Sequence, residues 1–364
     1  MSATESPLAP SCQPALDSCG VSLQVVALEP GSEARWDSFV LAHPGATFFH
    51  LTGWLKVMSE TYGFKPCYFY AERGGQITGI APAFLISSWL TGKCLISLPF
   101  AVYGGVCASD PESEAALVDH LERVAIEERV QYLELRNRDG LLSPGFASNS
   151  RYATFTIPLV PETDALYKAF PKDIRYMIRK GEKAGLKARR GLDQLETFYR
   201  LLTVNLRRLG TPAFPFCLFE NLIRAYPGQV DIIVVYAGEK AVAAGMTFFF
   251  REWMQPYYVG ALDEAKPLAA NNFLWWEFIK LGASTGHTVF DFGRSKMDSG
   301  NFDFKKKWNP KIECLNYQVR LVTRKDMPNF SPVNPKFKLA TACWKKMPLP
   351  LTRIIGPKIV RWFP

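Results

Sequence analysis

The chain has 364 residues, 48% apolar and 13% aromatic, enough to fill about two domain cores and far from a disordered composition. No apolar run reaches the roughly 18 residues of a spanning helix, and the first twenty residues lack the basic start and unbroken apolar stretch of a secretory signal. Net charge is +9 and unevenly placed, which points to a polyanionic partner: phosphate, nucleic acid or anionic lipid.

Residues 1–22, rich in Ser, Pro and Ala, read as a disordered leader. The eight cysteines, at 12, 19, 67, 94, 107, 217, 314 and 343, contain no C-x-x-C pair and mostly lie in apolar runs. They read as buried reduced thiols, which favours a cytoplasmic location. The histidines at 43, 50, 120 and 287 show no ligand spacing, and no metal is expected.

A short helical pattern over Trp54–Tyr62 leads into CYFYAERGGQITGIAPAFLI, two alternating strands around a Gly-containing turn. Within it Gln76–Ala81 matches the Q/R-x-x-G-x-G/A loop that holds coenzyme A pyrophosphate. That loop must precede a helix N-terminus, and here it crosses a hairpin, so the match is discounted. Tyr103-Gly104-Gly105 follows a strand; its glycines allow close backbone approach and Tyr103 is placed to bond a sugar or peptide, an ordinary turn being the alternative. Glu112–Arg129, with Leu117, Leu121, Val124 and Ala125 in phase, reads as an amphipathic helix feeding the strand YLELRN. Ser143–Ser150 reads as a loop.

Pro171–Leu186 reads as a helix with Pro171 at its start, Gly185 at its end and Ile174, Met177 and Ile178 as its apolar stripe. Arg175, Arg179 and Lys183 recur every four residues on another face, with Lys180 adjacent. From Lys168 to Arg190 there are nine Lys/Arg and two acids. A row of guanidiniums suits phosphate, and a merely solvated face is the alternative.

The first half is then echoed. Tyr236-Ala237 is followed by Gly245 at the spacing that separates Tyr70-Ala71 from Gly79. A helical pattern (Phe219–Tyr226) again precedes the hairpin, and a helix (Asn272–Ala283) again leads into a strand, VFDFGR. A helix–hairpin–strand–helix–strand unit therefore occurs twice.

In FDFGRSKMDSGNFDFKKKWN (Phe290–Asn309), Asp291 and Arg294 end an apolar strand, where α/β folds commonly place functional groups. Lys305 lies in a run of three lysines that reads as an exposed loop, so its removal is expected to leave folding intact. Residues 331–364 hold seven Lys/Arg and no acid, interleaved with Trp344, Ile354, Ile355 and Trp362. They suit an anionic membrane surface, or packing on the second domain.

Three segments carry a family resemblance. Phe290–Asn309 resembles the D-F-G-R…F-K-x-x-W segment of Fem-like acyltransferases, Pro171–Leu186 their R-x-x-I-R-K-(G/A)-x-K-x-G helix, and Leu98–Gly105 a Y-G-G segment of the first domain. The subgroup associated with exosortase/PEP-CTERM exopolysaccharide loci is the most similar. The resemblance implies an α/β (α+β) fold of tandem GNAT-like N-acyltransferase domains, each a mixed sheet flanked by helices. Their expected extents are 23–155 and 156–325, with a basic amphipathic tail over 326–364. It implies an enzyme passing an aminoacyl or acyl group to an amine of a cell-envelope precursor, peptidoglycan or exopolysaccharide related. The donor is aminoacyl-tRNA or acyl-CoA, with no permanently bound cofactor. Lys305 takes the oxyanion-stabilising role, Asp291 and Arg294 accompany it, and Tyr103, Arg175, Arg179 and Lys180 fall to substrate binding. An acyl-CoA-dependent enzyme acting on a sugar-linked acceptor is a second reading. A non-catalytic RNA- or membrane-binding module is a third, in which Lys305 and the Arg294 loop are dispensable. The general base stays open among His50, Asp110 and Asp263. Partners implied are the precursor, tRNA and the inner face of a membrane.

Overall fold

Alternating strands, tight turns and two amphipathic helices of matching position dictate a layered α/β architecture, and the computed structural model has it. It describes residues 22–88, 92–138, 144–328 and 335–363. The expected leader, but for residue 22, lies outside them.

The first unit runs through β1 (Gln24–Ala27), helices Glu33–Ala42 and Thr52–Tyr62, the hairpin β2 (Lys65–Arg73) and β3 (Gln76–Ser88), then β4 (Gly92–Ile96) and a short β5 (Cys107–Ala108). Helix Pro111–Glu127 and β6 (Tyr132–Leu135) follow, and then β7 (Ala147–Pro158). The second unit repeats the order. After helix Lys172–Lys183 come β8 (Leu186–Arg190), helices Leu195–Leu209 and Phe216–Ala225, β9 (Val230–Ala237), β10 (Lys240–Phe250) and β11 (Trp253–Ala261). Helix Ala270–Ser284, β12 (Val289–Asp291), β13 (Ser295–Lys296), helix Gly300–Lys306 and β14 (Lys311–Leu321) close it.

The pairing repeats as well as the order. β2–β3–β4 are antiparallel and β4 runs parallel to β6, just as β9–β10–β11 are antiparallel and β11 runs parallel to β12. The echoed glycine has a packing reason. A Cβ on Gly79 would come within 2.8 Å of Leu117 in the first long helix, and one on Gly245 within 2.9 Å of Phe278 in the second. Each glycine lets its helix lie close on the sheet.

The last strand of each unit is exchanged. β7 leaves the first unit to pair with β12 of the second, and β14 leaves the second to pair with β6 of the first. The two then pair antiparallel with each other, so one continuous sheet runs β1-β2-β3-β4-β6-β14-β7-β12-β11-β10-β9-β8 among the described residues. The join expected at 155/156 falls inside β7. Ala147–Ser150, expected as loop, are its first residues because β14 supplies them with ladder partners. Helices Thr52–Tyr62 and Phe216–Ala225 pack on each other over a core shared by both units, with smaller cores under helices Pro111–Glu127 and Ala270–Ser284.

Cys67, Cys94 and Cys107 are buried, and burial pushes the Cys94 thiol up to about 12. Cys217, Cys314 and Cys343 are exposed, which corrects the all-buried expectation for those three. The tail forms helices Pro335–Lys346 and Leu349–Val360 that dock on helix Leu195–Leu209. Trp344 Nε1 donates to Thr211 O at 3.1 Å, Arg353 Nε to Thr203 Oγ1 at 3.1 Å, and Thr352 and Val360 are buried. No helix among the described residues is long and apolar enough to cross a membrane.

Candidate functional site

The exchanged strands gather polar side chains from both units at one place in the sheet. Asp291, the last residue of β12, is 1% exposed. Its Oδ2 accepts from Tyr103 Oη at 2.7 Å and Gln255 Nε2 at 2.8 Å; its Oδ1 accepts from Gly293 N at 2.7 Å and Thr154 Oγ1 at 3.1 Å. Tyr103 comes from the first unit, Thr154 from β7, Gln255 from β11. Burial pushes the Asp291 carboxyl up, while the bonds from Tyr103 and Gly293 and the charges of Arg138 and Lys305 pull it down. Burial also pushes the Tyr103 phenol well above its ordinary value.

Tyr103 and Thr154 bond each other too. The ring of Tyr103, Thr154 and Asp291 thus has three oxygen–oxygen contacts and only two hydroxyl protons. With Asp291 ionised, one contact lacks a proton; a third proton completes the ring.

The Tyr103 loop is held from the far side. Tyr317 on β14 donates to Val102 O at 2.6 Å, Tyr257 donates to Phe100 O, and Gly104 N donates to Arg136 O at 2.8 Å. Gly105 adopts φ +141, and a Cβ there would lie 1.8 Å from Asn137 Oδ1. Only glycine fits.

The parallel strands β11 and β12 pair at Trp253↔Val289 and Met254↔Phe290, and the Gln255–Asp291 side-chain bond follows the last pair. The chain beyond β12 carries Arg294 among tyrosines: its guanidinium donates to Tyr317 Oη at 2.9 Å and lies 4.8 Å from the Tyr152 ring centre. Asp291 and Arg294 therefore turn to different partners instead of to each other. Lys305 is 4% exposed on helix Gly300–Lys306, a correction to the exposed loop expected of it. Its Nζ donates to Gly293 O at 2.9 Å and Arg294 O at 3.0 Å, beneath the turn between them. Burial lowers its pKa to about 7; Asp291 opposes that and Arg294 adds to it.

Tyr103, from the Leu98–Gly105 segment, and Asp291, Arg294 and Lys305, from Phe290–Asn309, thus share one contact network. Arg175, Arg179 and Lys180 have no contact with it. They lie on helix Lys172–Lys183, whose Ile174, Ile178 and Gly181 are buried and which packs on helix Ala270–Ser284. The three open candidates for general base have structural partners. Asp110 caps helix Pro111–Glu127 through Ser113, Asp263 pairs with Lys266 at the surface, and His50 is buried with Nδ1 accepting from Thr47 N. Sequence reasoning missed Thr154, Gln255 and Tyr317, ordinary strand residues with no motif around them. Tyr103 and Asp291 floor a narrow cleft whose walls include Phe48, Phe248, Trp253 and Arg138.

Residues 168–306 match the family model "Acetyltransferase (GNAT) domain". No curated protein matches the chain. Its fold is similar to that of FemX, at a TM-score of 0.63 and 15% identity, over 87% of this chain and all of that one. L-PGS from Bacillus licheniformis gives 0.55 and 15%, over 91% and 98%. A tandem GNAT protein from the clavulanic acid biosynthesis pathway gives 0.53 and 10%, over 84% and 100%.

Proposed function

We propose that the protein is an acyltransferase that passes an aminoacyl or acyl group to an amine of a cell-envelope precursor, peptidoglycan or exopolysaccharide related. The observation that carries this reading is the proton-short ring of Tyr103, Thr154 and Asp291 on the floor of a cleft at the end of the parallel pair β11–β12, in a chain whose residues 168–306 match the GNAT model. In the step proposed, the acceptor nitrogen attacks the carbonyl carbon of a thioester or ester. A C–N bond forms, the C–S or C–O bond breaks, the nitrogen gives up a proton, and the leaving sulfur or oxygen takes one. Ionised Asp291, its carboxyl raised by burial, receives the amine's proton through Tyr103, which completes the ring, and returns it by the same route to the leaving sulfur or oxygen. Lys305 acts by holding the Gly293–Arg294 turn, whose Gly293 N–H bonds Asp291.

The donor is acyl-CoA or aminoacyl-tRNA. Native mass spectrometry of the purified protein, followed by transfer to amino-sugar and muropeptide amines, identifies it by the mass of the product. Asp291→Asn is expected to lower turnover at least a hundredfold. Undiminished turnover in a variant that melts like the wild type sinks the reading.

The docked tail keeps an outward face of Leu339, Leu351 and Ile354, each exposed, beside exposed Lys345, Lys346, Lys358 and Arg361. We propose that this face meets anionic lipid while the tail stays folded. Cosedimentation should favour anionic over neutral vesicles and fall at about half-molar salt, where the Debye length is only a few ångströms. Equal pelleting with both lipids refutes it.

A further inference from the structure

One positive side chain lines the cleft, and the chemistry above uses it only through the pull of its charge on Asp291. Arg138 lies three residues past β6, with its guanidinium 4.3 Å from the Trp253 ring centre and 5.3 Å from that of Tyr103. Its side chain is 23% exposed. Stacking on two aromatic faces fixes the plane of a guanidinium and leaves its edge, where the N–H groups are, free to bond. The nearby carboxylate does not consume that capacity. Glu313 approaches Arg138 only to 3.9 Å, and Lys311 meets the same Glu313 at 2.7 Å.

The cleft therefore has a fixed cation in its wall and a buried carboxyl at its floor, and the mutually stacked, buried rings of Phe48 and Phe248 keep it narrow. A neutral amine finds only the floor complementary to it. A molecule with an amine at one end and an anion at the other finds both ends matched, the amine at the narrow floor and the anion at Arg138. The guanidinium fork fits the two oxygens of a carboxylate or phosphate, and partial burial strengthens that bond relative to water.

We infer that Arg138 is the anion anchor of the acceptor site, and that the acceptor is an amine carrying a carboxylate or phosphate on the same small skeleton. The inference rests on the reading of this cleft as the acyl-acceptor site.

The test is calorimetric titration without any donor, using glucosamine 6-phosphate, muramic acid, glucosamine and inorganic phosphate. The proteins are the wild type, Arg138→Met and Arg138→Lys. The wild type is expected to bind at least one of the two anionic amines tenfold or more tighter than glucosamine, and the tighter of them identifies the anion. Arg138→Met should bring all three amines to the glucosamine level, with Arg138→Lys between. Lack of saturable binding of either anionic amine, or a preference that survives in Arg138→Met, overturns the inference. So does inorganic phosphate binding as tightly as glucosamine 6-phosphate, which marks a bare anion site. Melting curves of the variants must overlay that of the wild type, and if Arg138→Met fails this the Arg138→Lys titration decides alone: an unchanged preference there overturns the anchor. Because no donor is present, an anion preference without acyl transfer in a separate assay counts against the acyltransferase reading alone. Transfer to charged and neutral amines alike, without any anion preference, counts against the anchor alone.

Discussion

Lys305→Ala is expected to lose stability increasingly as pH rises. In the folded protein burial holds the Lys305 pKa at about 7, against an ordinary lysine value of 10.5. Between those values the unfolded chain keeps a proton that the folded one has released, so wild-type stability rises with pH across that window. Below pH 7 both states are protonated and burying the charge carries its full penalty, which offsets much of what the side chain contributes. The alanine variant lacks this slope. Its deficit at pH 9 should exceed that at pH 7 by about 2 kcal/mol, since each pKa unit corresponds to about 1.4 kcal/mol. On top of this it leaves Gly293 O and Arg294 O without their donor, at about 1–3 kcal/mol per unsatisfied buried group. Urea melts of both proteins at the two pH values measure the difference. Parallel pH dependences would show that the lysine is not titrating in the fold. Turnover should fall more than tenfold at either pH, because the turn that presents Gly293 N to Asp291 loosens.

Gly105→Ala is expected to abolish most activity although residue 105 carries no functional group. Its φ of +141 is strained for any L side chain, and the new Cβ would lie 1.8 Å from Asn137 Oδ1 and 3.0 Å from Asn137 N. Something in the Tyr103 loop must move, and the Tyr103 hydroxyl is bonded on one side to Asp291 and on the other to Thr154. A displacement of about 1 Å at a positioned group costs on the order of a hundredfold in rate. Gly75→Ala in the β2–β3 turn is the control. It too has positive φ, +77, but a Cβ there meets nothing within 4 Å, so it bears the backbone strain without the clash. Activities within a factor of three of each other would refute the positioning argument.

The contrast between Lys305 and Lys306 shows where the sequence stops being readable. Three consecutive lysines look like a solvated loop, and two of them are exposed. The third points inward because a short helix puts Lys305 and Trp308 on one face, three residues apart, against Phe155 and Phe170. The i,i+3 pairing with Trp308 was the available signal, and the charge run masked it. The motif residues Tyr103, Asp291 and Arg294 were legible because glycines punctuate their neighbourhoods. Thr154 and Tyr317 were not, since both lie in strands whose alternation reveals a buried face and says nothing about which strand lies alongside. The duplicated order of elements and the glycines at 79 and 245 were visible for a related reason: both are local in sequence. Strand exchange is a choice between partners that are equally good locally, and it is decided only when the whole sheet assembles. The tail's docking is not decided by its sequence, because a basic amphipathic helix has the same pattern whether its apolar side meets a protein or a bilayer.

The exchange also sets how the two repeats are free to drift apart. At the outer borders the strand pairing stays within one repeat, β1 with β2 and β8 with β9. At the seam the opposite holds: a change in β14 is felt by β6, and a change in β7 by β12, each across the line of duplication. Compensation for a seam mutation must therefore arise in the other copy. The two repeats are self-contained in their strand pairing at the edges and interdependent in the middle, where the Tyr103–Asp291 bond spans them.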